Sequence, residues 1–292
     1  MLVIAPRDLA FLVLINLIWG FNLIASKVGV GEFPPMLFTA MRFALLAVIL
    51  LPFLRVRPGE MGPVVVAAIM SGALHFALLF VGVGMSESMS SVAVVGQLGV
   101  PFTTLMSIVF LNEVVRWRRW LGITLSFAGV MVIGLEPQVF QHWPGLALVV
   151  LSAFIGSIGL MAVKKLQGWK PLELQAWFTA ISTPVLIVLT FTFETGHHEA
   201  VANATVMGWA ALAFTALIAS LIAHTGYYYL VQRYPVTSVS PLTVLSPVFG
   251  VFFAITLLDE ELTSRMVVGA VMTLTGVFIV ALRERKIIET GT

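Results

Sequence analysis

Two histidines lie well inside long apolar runs, one in Ser71-x3-His75 and one in Ser220-x3-His224. Imidazole donates and accepts hydrogen bonds and titrates near neutral pH. Such a group is costly in hydrocarbon and tends to face a cavity or a partner helix. Both alternatives fit each histidine. Two histidines with no carboxylate beside them make a poor metal site, so no metal is expected. Tyr227 and Tyr228 follow His224 at three and four residues and share its helix face. The matching positions after His75 are Leu78 and Leu79. Aromatics beside polar groups suit an amphipathic organic solute, and rings are also ordinary packing residues.

Other polar groups form stripes. Asn16, Trp19, Gly20, Leu23, Ser26 and Lys27 fall within roughly 120° of one another at about 100° per residue. Ser90, Gln97, Pro101 and Thr104 form a second stripe; Ser240, Thr243, Pro247 and Gly250 form a third. A cavity lined by Asn16, Trp19, His75, Gln97, His224, Tyr228 and Thr243 is the resulting expectation, with apolar bulk, aromatic faces and a few hydrogen-bonding groups. Arg42 can pair with a substrate carboxylate, or reach the interface and backbone carbonyls. All 14 acidic residues lie at or near the ends of apolar stretches. The mid-membrane carboxylate of a proton relay or sodium site is therefore missing. That favours uniport; if protons are coupled, the histidines are the titratable candidates.

These groups must be positioned by helices. Of the 292 residues, 59% are apolar and 10% charged, which separates the chain from soluble domains with about a quarter charged residues. Stretches near 8–28, 34–54, 62–84, 88–111, 118–135, 144–163, 171–193, 207–231, 236–258 and 265–282 are each close to the length needed to cross a bilayer. The expected fold is an all-α membrane protein of ten transmembrane helices. With the N-terminus inside, 13 Lys and Arg residues fall on the cytoplasmic side and 2 outside, with Arg42 within a span. The positive-inside rule then places both termini in the cytoplasm.

The chain also repeats itself. Glu113-x8-Gly122-x6-Gly129 returns as Glu260-x8-Gly269-x6-Gly276. Asn16, Gly20, Pro35 and Ala40 align with Ser152, Gly156, Pro171 and Ala176. The repeat also relates His75 to His224 and Gln97 to Thr243. Five spans per copy invert the second copy, giving repeats at 1–138 and 139–292 and the architecture of alternating-access carriers. The glycines are expected to let helices approach closely. Glu113 and Glu260 are expected to end their helices and cap the next, with a gating role as the alternative.

With Leu17-Ile18-Trp19-Gly20, Met41-Arg42-Phe43 and the Pro101–Glu113 and Pro247–Glu260 stretches, the chain resembles the drug/metabolite transporter superfamily of the type with two EamA domains, over nearly its whole length. Within it, the chain looks most like bacterial aromatic amino-acid exporters. The resemblance implies a ten-helix inner-membrane carrier, often an exporter of amino acids or other metabolites. A small-molecule substrate and a lipid bilayer are the expected partners, with no cofactor and a monomer as one possible state; the net charge of +2 follows from the side bias of Lys and Arg and does not suggest nucleic acid. Ile155 stands where Trp19 does, so an asymmetric cavity wall is expected. The competing readings are a proton-coupled exporter of drugs or other metabolites, a channel or structural subunit, and an intramembrane enzyme. The last lacks support: there is no cysteine, no His-Glu-x-x-His and no carboxylate pair within the core.

Overall fold

A computed structural model describes residues 5–111, 117–163, 165–166, 168–234 and 239–282, with the side chains of Leu111, Gln138, Tyr228, Val231, Gln232, Ser240, Pro241 and Leu282 left out. The described chain is helical, with no strand among the described residues. The helices are α1 (Pro6–Glu32), α2 (Pro35–Phe53, its last turn 3₁₀), α3 (Met61–Met85), α4 (89–111), α5 (Trp117–Gly134), α6 (Trp143–Val163), α7 (Pro171–Phe193), α8 (206–233), α9 (240–258) and α10 (Ser264–Leu282). Short helices at Pro137–Gln141 and His197–Asn203 link α5 to α6 and α7 to α8.

Local sequence explains the starts. Pro6, Pro35 and Pro171 occupy the first turns of α1, α2 and α7, where a missing N–H costs nothing. Ser88 and Thr205 cap α4 and α8 by accepting from the backbone N–H groups of Ser91 and Gly208. Between these ends the helices are apolar on nearly every face. Met131 and Phe191 are about 70% exposed, at 71% and 68%, a surface that suits lipid rather than water.

Among the described residues, eight helices are long and apolar enough to cross a membrane. This is a membrane protein built of multiple apolar helices. The other two fall short for identifiable reasons. Helix α5 opens with Arg118 and Arg119, and the apolar stretch of α9 is the shorter segment Leu242–Leu258.

Packing follows a pattern. Helix α1 lies on α8 and α9, and α6 lies on α3 and α4; α2 pairs with α7, and α5 with α10. The α5–α10 crossing shows how close the approach is. A Cβ on Gly122 would stand 2.8 Å from the Gly276 carbonyl oxygen, and one on Gly276 would stand 2.5 Å from that of Gly122. Gly129 and Gly269 have the same reciprocal relation, at 2.5 and 2.6 Å. Between them the Ser126 and Thr273 hydroxyls donate within their own helices, to Gly122 O at 2.9 Å and Gly269 O at 2.8 Å, and each faces the other residue's carbonyl oxygen, at 3.5 and 3.4 Å. Small residues admit backbone-to-backbone contact in lipid, where dispersion and weak polar contacts replace the hydrophobic drive.

Candidate functional site

A cavity of about 600 Å³ runs into the bundle, within the range of small-ligand sites. Helices from both parts of the chain build it. Arg42 and Phe43 come from α2, Ser71, His75 and Phe76 from α3, and Gln97, Thr103 and Thr104 from α4. Gly156 and Ser157 come from α6, Gln175 and Phe178 from α7, Ser220 and His224 from α8. The lining continues to Arg119, Val163, Pro171 and Ala281, at the end of the bundle where Lys165 and Lys170 lie. No lining residue comes from 27–38, 83–95, 186–213 or 250–270 at the opposite end.

The two histidines are set by a matching departure from α-helical geometry. Residues Ala68–Leu74 of α3 and Phe214–Ala223 of α8 are π-helical, each running directly into its histidine. A π segment widens the helix, frees carbonyls from the usual ladder, and is often found at functional sites. In α8 the side chains use the five-residue register: Ser220 Oγ donates to Thr215 O at 2.8 Å, and His224 Nδ1 lies 2.7 Å from Ala219 O. In α3, His75 Nδ1 reaches across to Ser152 O of α6 at 2.8 Å. A carbonyl can only accept, so Nδ1 carries the proton in both rings and Nε2 is the acceptor of the neutral form. Gly156 makes room for His75: a Cβ there would stand 2.9 Å from Nδ1.

The opposite end is closed by carboxylates that cap helices other than their own. Glu260 accepts from the backbone N–H groups of Met89 and Ser90 at the start of α4, and from Ser88 Oγ. Glu194 accepts from Met36 and Leu37 N–H at the start of α2, at 2.8 and 3.0 Å. Glu32 accepts from Thr205 N–H before α8, and Glu136 from Thr263 Oγ1 before α10. Helix N-termini have unsatisfied N–H groups and partial positive charge, so carboxylates suit them. Lys27 Nζ donates to the Val83 and Ser86 carbonyls at the end of α3. Glu260 was expected to cap the next helix; it caps α4 instead, because the α9 end turns back over the α4 start. Glu113 lies outside the described residues.

The EamA-like transporter family matches residues 8–135 and again residues 143–282. The chain belongs to that family. A "Probable amino-acid metabolite efflux pump" of Escherichia coli (strain K12) is 26% identical, over 98% of this chain and 99% of the relative. A protein of the same name from Salmonella typhimurium is 26% identical over 94% of each. An "Uncharacterized inner membrane transporter YedA" of Escherichia coli (strain K12) is 24% identical over 85% of this chain and 81% of its own. One solved structure, described only as "Crystal structure of protein", superposes with a TM-score of 0.63 at 16% identity, over 94% of this chain and 96% of that one; it speaks to the fold alone. Membership marks the chain as a transporter rather than an enzyme.

Within this EamA-family chain the sequence-predicted site residues divide. His75, Gln97 and His224 share the cavity wall. Asn16, Trp19 and Thr243 are not on it. Asn16 is fully buried, with Nδ2 donating to Leu12 O in its own helix. Trp19 packs edge-on against His224, with ring centroids 5.1 Å apart, and against Tyr227 at 5.4 Å. Thr243 sits in the 3₁₀ start of α9. The reason is the α1–α9 crossing: a Cβ on Gly20 would meet Phe249 Cβ at 2.6 Å, so the polar stripe of α1 is packed against α8 and α9. The Tyr228 side chain is outside the described ones. At an offset of 147 the repeat pairs Thr243 with Gly96, one residue before Gln97. Missing from the expected set are Ser71, Ser157 and Gln175. Each is a small or neutral polar residue in an apolar run, the same signal that marked Gln97. Arg42 does not reach the interface: it is 2% exposed and turned into the cavity wall.

Proposed function

We propose that this chain is an inner-membrane carrier of small metabolites, with amino acids bearing apolar or aromatic side chains as the preferred class, working by alternating access as an exporter and without a coupling ion. The observation that carries this reading is the cavity, walled by helices of both family matches and shut at one end by capped helix starts. Its lining sets polar side chains among apolar ones, Phe43, Phe76 and Phe178 included, a mixture suited to an amphipathic solute. The relatives named as amino-acid metabolite efflux pumps support the substrate class.

The two five-helix segments, 1–138 and 139–292, are read as inverted repeats giving ten spans. The packing pattern supports this. The α1 contacts with α8 and α9 correspond to those of α6 with α3 and α4, and α2–α7 and α5–α10 are their own counterparts. In that frame the arrangement is one access state. The α6 side of the bundle lines the cavity, while its counterpart α1 is packed shut. Basic residues at the cavity's open end support a cytoplasmic position for that end and for both termini. Rocking the halves against each other would exchange the roles of α1 and α6. His75 and His224 would then serve as hydrogen-bonding groups at the shared centre. No Asp or Glu lines the cavity among the described residues, which supports uniport.

The test is reconstitution in liposomes. A carrier shows saturable uptake and counterflow of a labelled apolar amino acid. Linear, non-saturating flux marks a channel, and absence of flux across amino acids, sugars and nucleosides sinks the reading. Strong concentrative uptake driven by an imposed pH gradient refutes uniport; if it persists in His75→Ala/His224→Ala, it also refutes the histidines as proton carriers.

A further inference from the structure

Among the described residues, the groups that hold the buried Arg42 cation are all neutral. Its Nε and Nη2 both donate to Ser220 Oγ, the former at 3.1 Å. The Ser220 hydroxyl proton is committed to Thr215 O, so Ser220 acts toward Arg42 purely as an acceptor. The guanidinium carbon lies 5.1 Å and 5.4 Å from the ring centroids of Phe76 and Phe80. These contacts orient the group and leave its charge unneutralised. Nη1 is buried with no hydrogen-bond partner. Among the described residues no carboxylate forms an ion pair with Arg42, and none lines the cavity. A buried charge without a counter-ion is costly, and an anion is the natural remedy.

A second unsatisfied group meets the first at the same residue. Gln175 Nε2 donates to the Ser220 carbonyl oxygen at 2.9 Å, which fixes its amide orientation and leaves Oε1 buried without a partner. Ser220 thus joins an unpaired donor on α2 to an unpaired acceptor on α7, and all three residues line the cavity. The donor bears a full charge; the acceptor is neutral.

The structure assigns the carboxylate of the transported solute to Arg42, as the obligatory recognition element, with Gln175 Oε1 as a secondary acceptor for an amino group. This rests on the carrier reading above and names the chemistry it selects: a small organic carboxylate with an apolar body, its amino group contributing less than its acid. Guanidinium–carboxylate bonds are charge-assisted and geometrically demanding, and the fork of Arg42 is already held by Ser220.

The experiment is equilibrium binding to purified full-length protein of four probes sharing one ring: phenylalanine, 3-phenylpropanoate, 2-phenylethylamine and 3-phenylpropanamide. The two carboxylates are expected to bind about tenfold or more tightly than the amine and the amide. Arg42→Met should erase that preference, leaving affinity for the amide unchanged, and Arg42→Lys should restore part of it. Equal binding of all four probes, binding of none, or wild-type carboxylate affinity in Arg42→Met overturns the assignment. The probe series on the wild-type protein decides without any variant, should Arg42→Met fail to fold. Counterflow in liposomes is scored separately. Carboxylate selectivity without counterflow sinks the carrier reading and leaves the Arg42 site standing; counterflow of a solute with no acid group does the reverse.

Discussion

At the scale of single residues, the cavity depends on atoms that are absent as much as on those present. Gly156 leaves the space that the His75 ring fills, 2.9 Å from where a Cβ would be. Gly156→Val should displace that ring, break its bond to Ser152 O and lower transport about tenfold at normal membrane abundance. Unchanged transport over a full substrate titration would show that His75 placement is irrelevant. Trp19→Ala should also lower transport, by loosening the ring stack behind His224 rather than by removing a cavity contact, and Gln97→Ala by removing one. Val268→Ala, on the exposed face of α10, should change nothing. The histidines were legible in sequence because a titratable group in an apolar run needs a reason. Arg42 was legible as a group to be explained, but its partner was not. Ser220 lies 178 positions away, and helix-face arithmetic says which side chains share a face without saying which neighbour that face meets. The same gap left open which helices the α1 face with Asn16 and Trp19 packs against.

At the scale of elements, the two π segments and the carboxylate caps divide the work. The π turns open the helices where the solute would sit; the caps shut the far end. A cap contributes about 1 kcal/mol, so Glu260→Ala should raise the population open at that end about fivefold. A single cysteine at Leu23 in this cysteine-free chain would report it, as faster labelling by a membrane-impermeant maleimide from outside. An unchanged labelling rate would remove Glu260 from the seal. Glycine spacing announced the α5–α10 contact in the sequence, since a seven-residue interval returns to one helix face. The π segments were not announced: Ala68–Leu74 and Phe214–Ala223 are compositionally ordinary apolar stretches, and the carbonyls that Ser71, Ser220 and the histidines bond to come within reach only in the folded backbone.

At the scale of the whole molecule, the shut side should become the open one. Under the repeat, Thr243 corresponds to Gly96, which lines the cavity here. A cysteine at Thr243 should therefore label from outside only when the opposite access state is populated, and saturating substrate should change its rate. Constant, substrate-independent labelling would argue against exchange of the two sides. Cysteines at Glu199 and Arg57 should label from outside and only after permeabilisation, respectively; the reverse pattern overturns the topology together with the inverted repeat. Charge bias gives an orientation for that experiment to test, because Lys and Arg stand at helix ends where side is decided. The access state was not readable, since it is a property of packing between halves.

The reciprocal crossing of α5 and α10 has a consequence for how such a chain can be assembled. Each helix offers the other the same surface, glycine against glycine carbonyl and a hydroxyl facing the other's backbone oxygen. An interface of that kind is isologous, the sort that two separate subunits form with each other. A contact of that kind should hold the halves together even where the chain between them is cut. Segments 1–138 and 139–292 made as two polypeptides in one cell should find each other, co-purify and restore transport. A bulky residue at Gly122, which would strike the Gly276 carbonyl, should abolish that reunion while the unbroken chain still reaches the membrane.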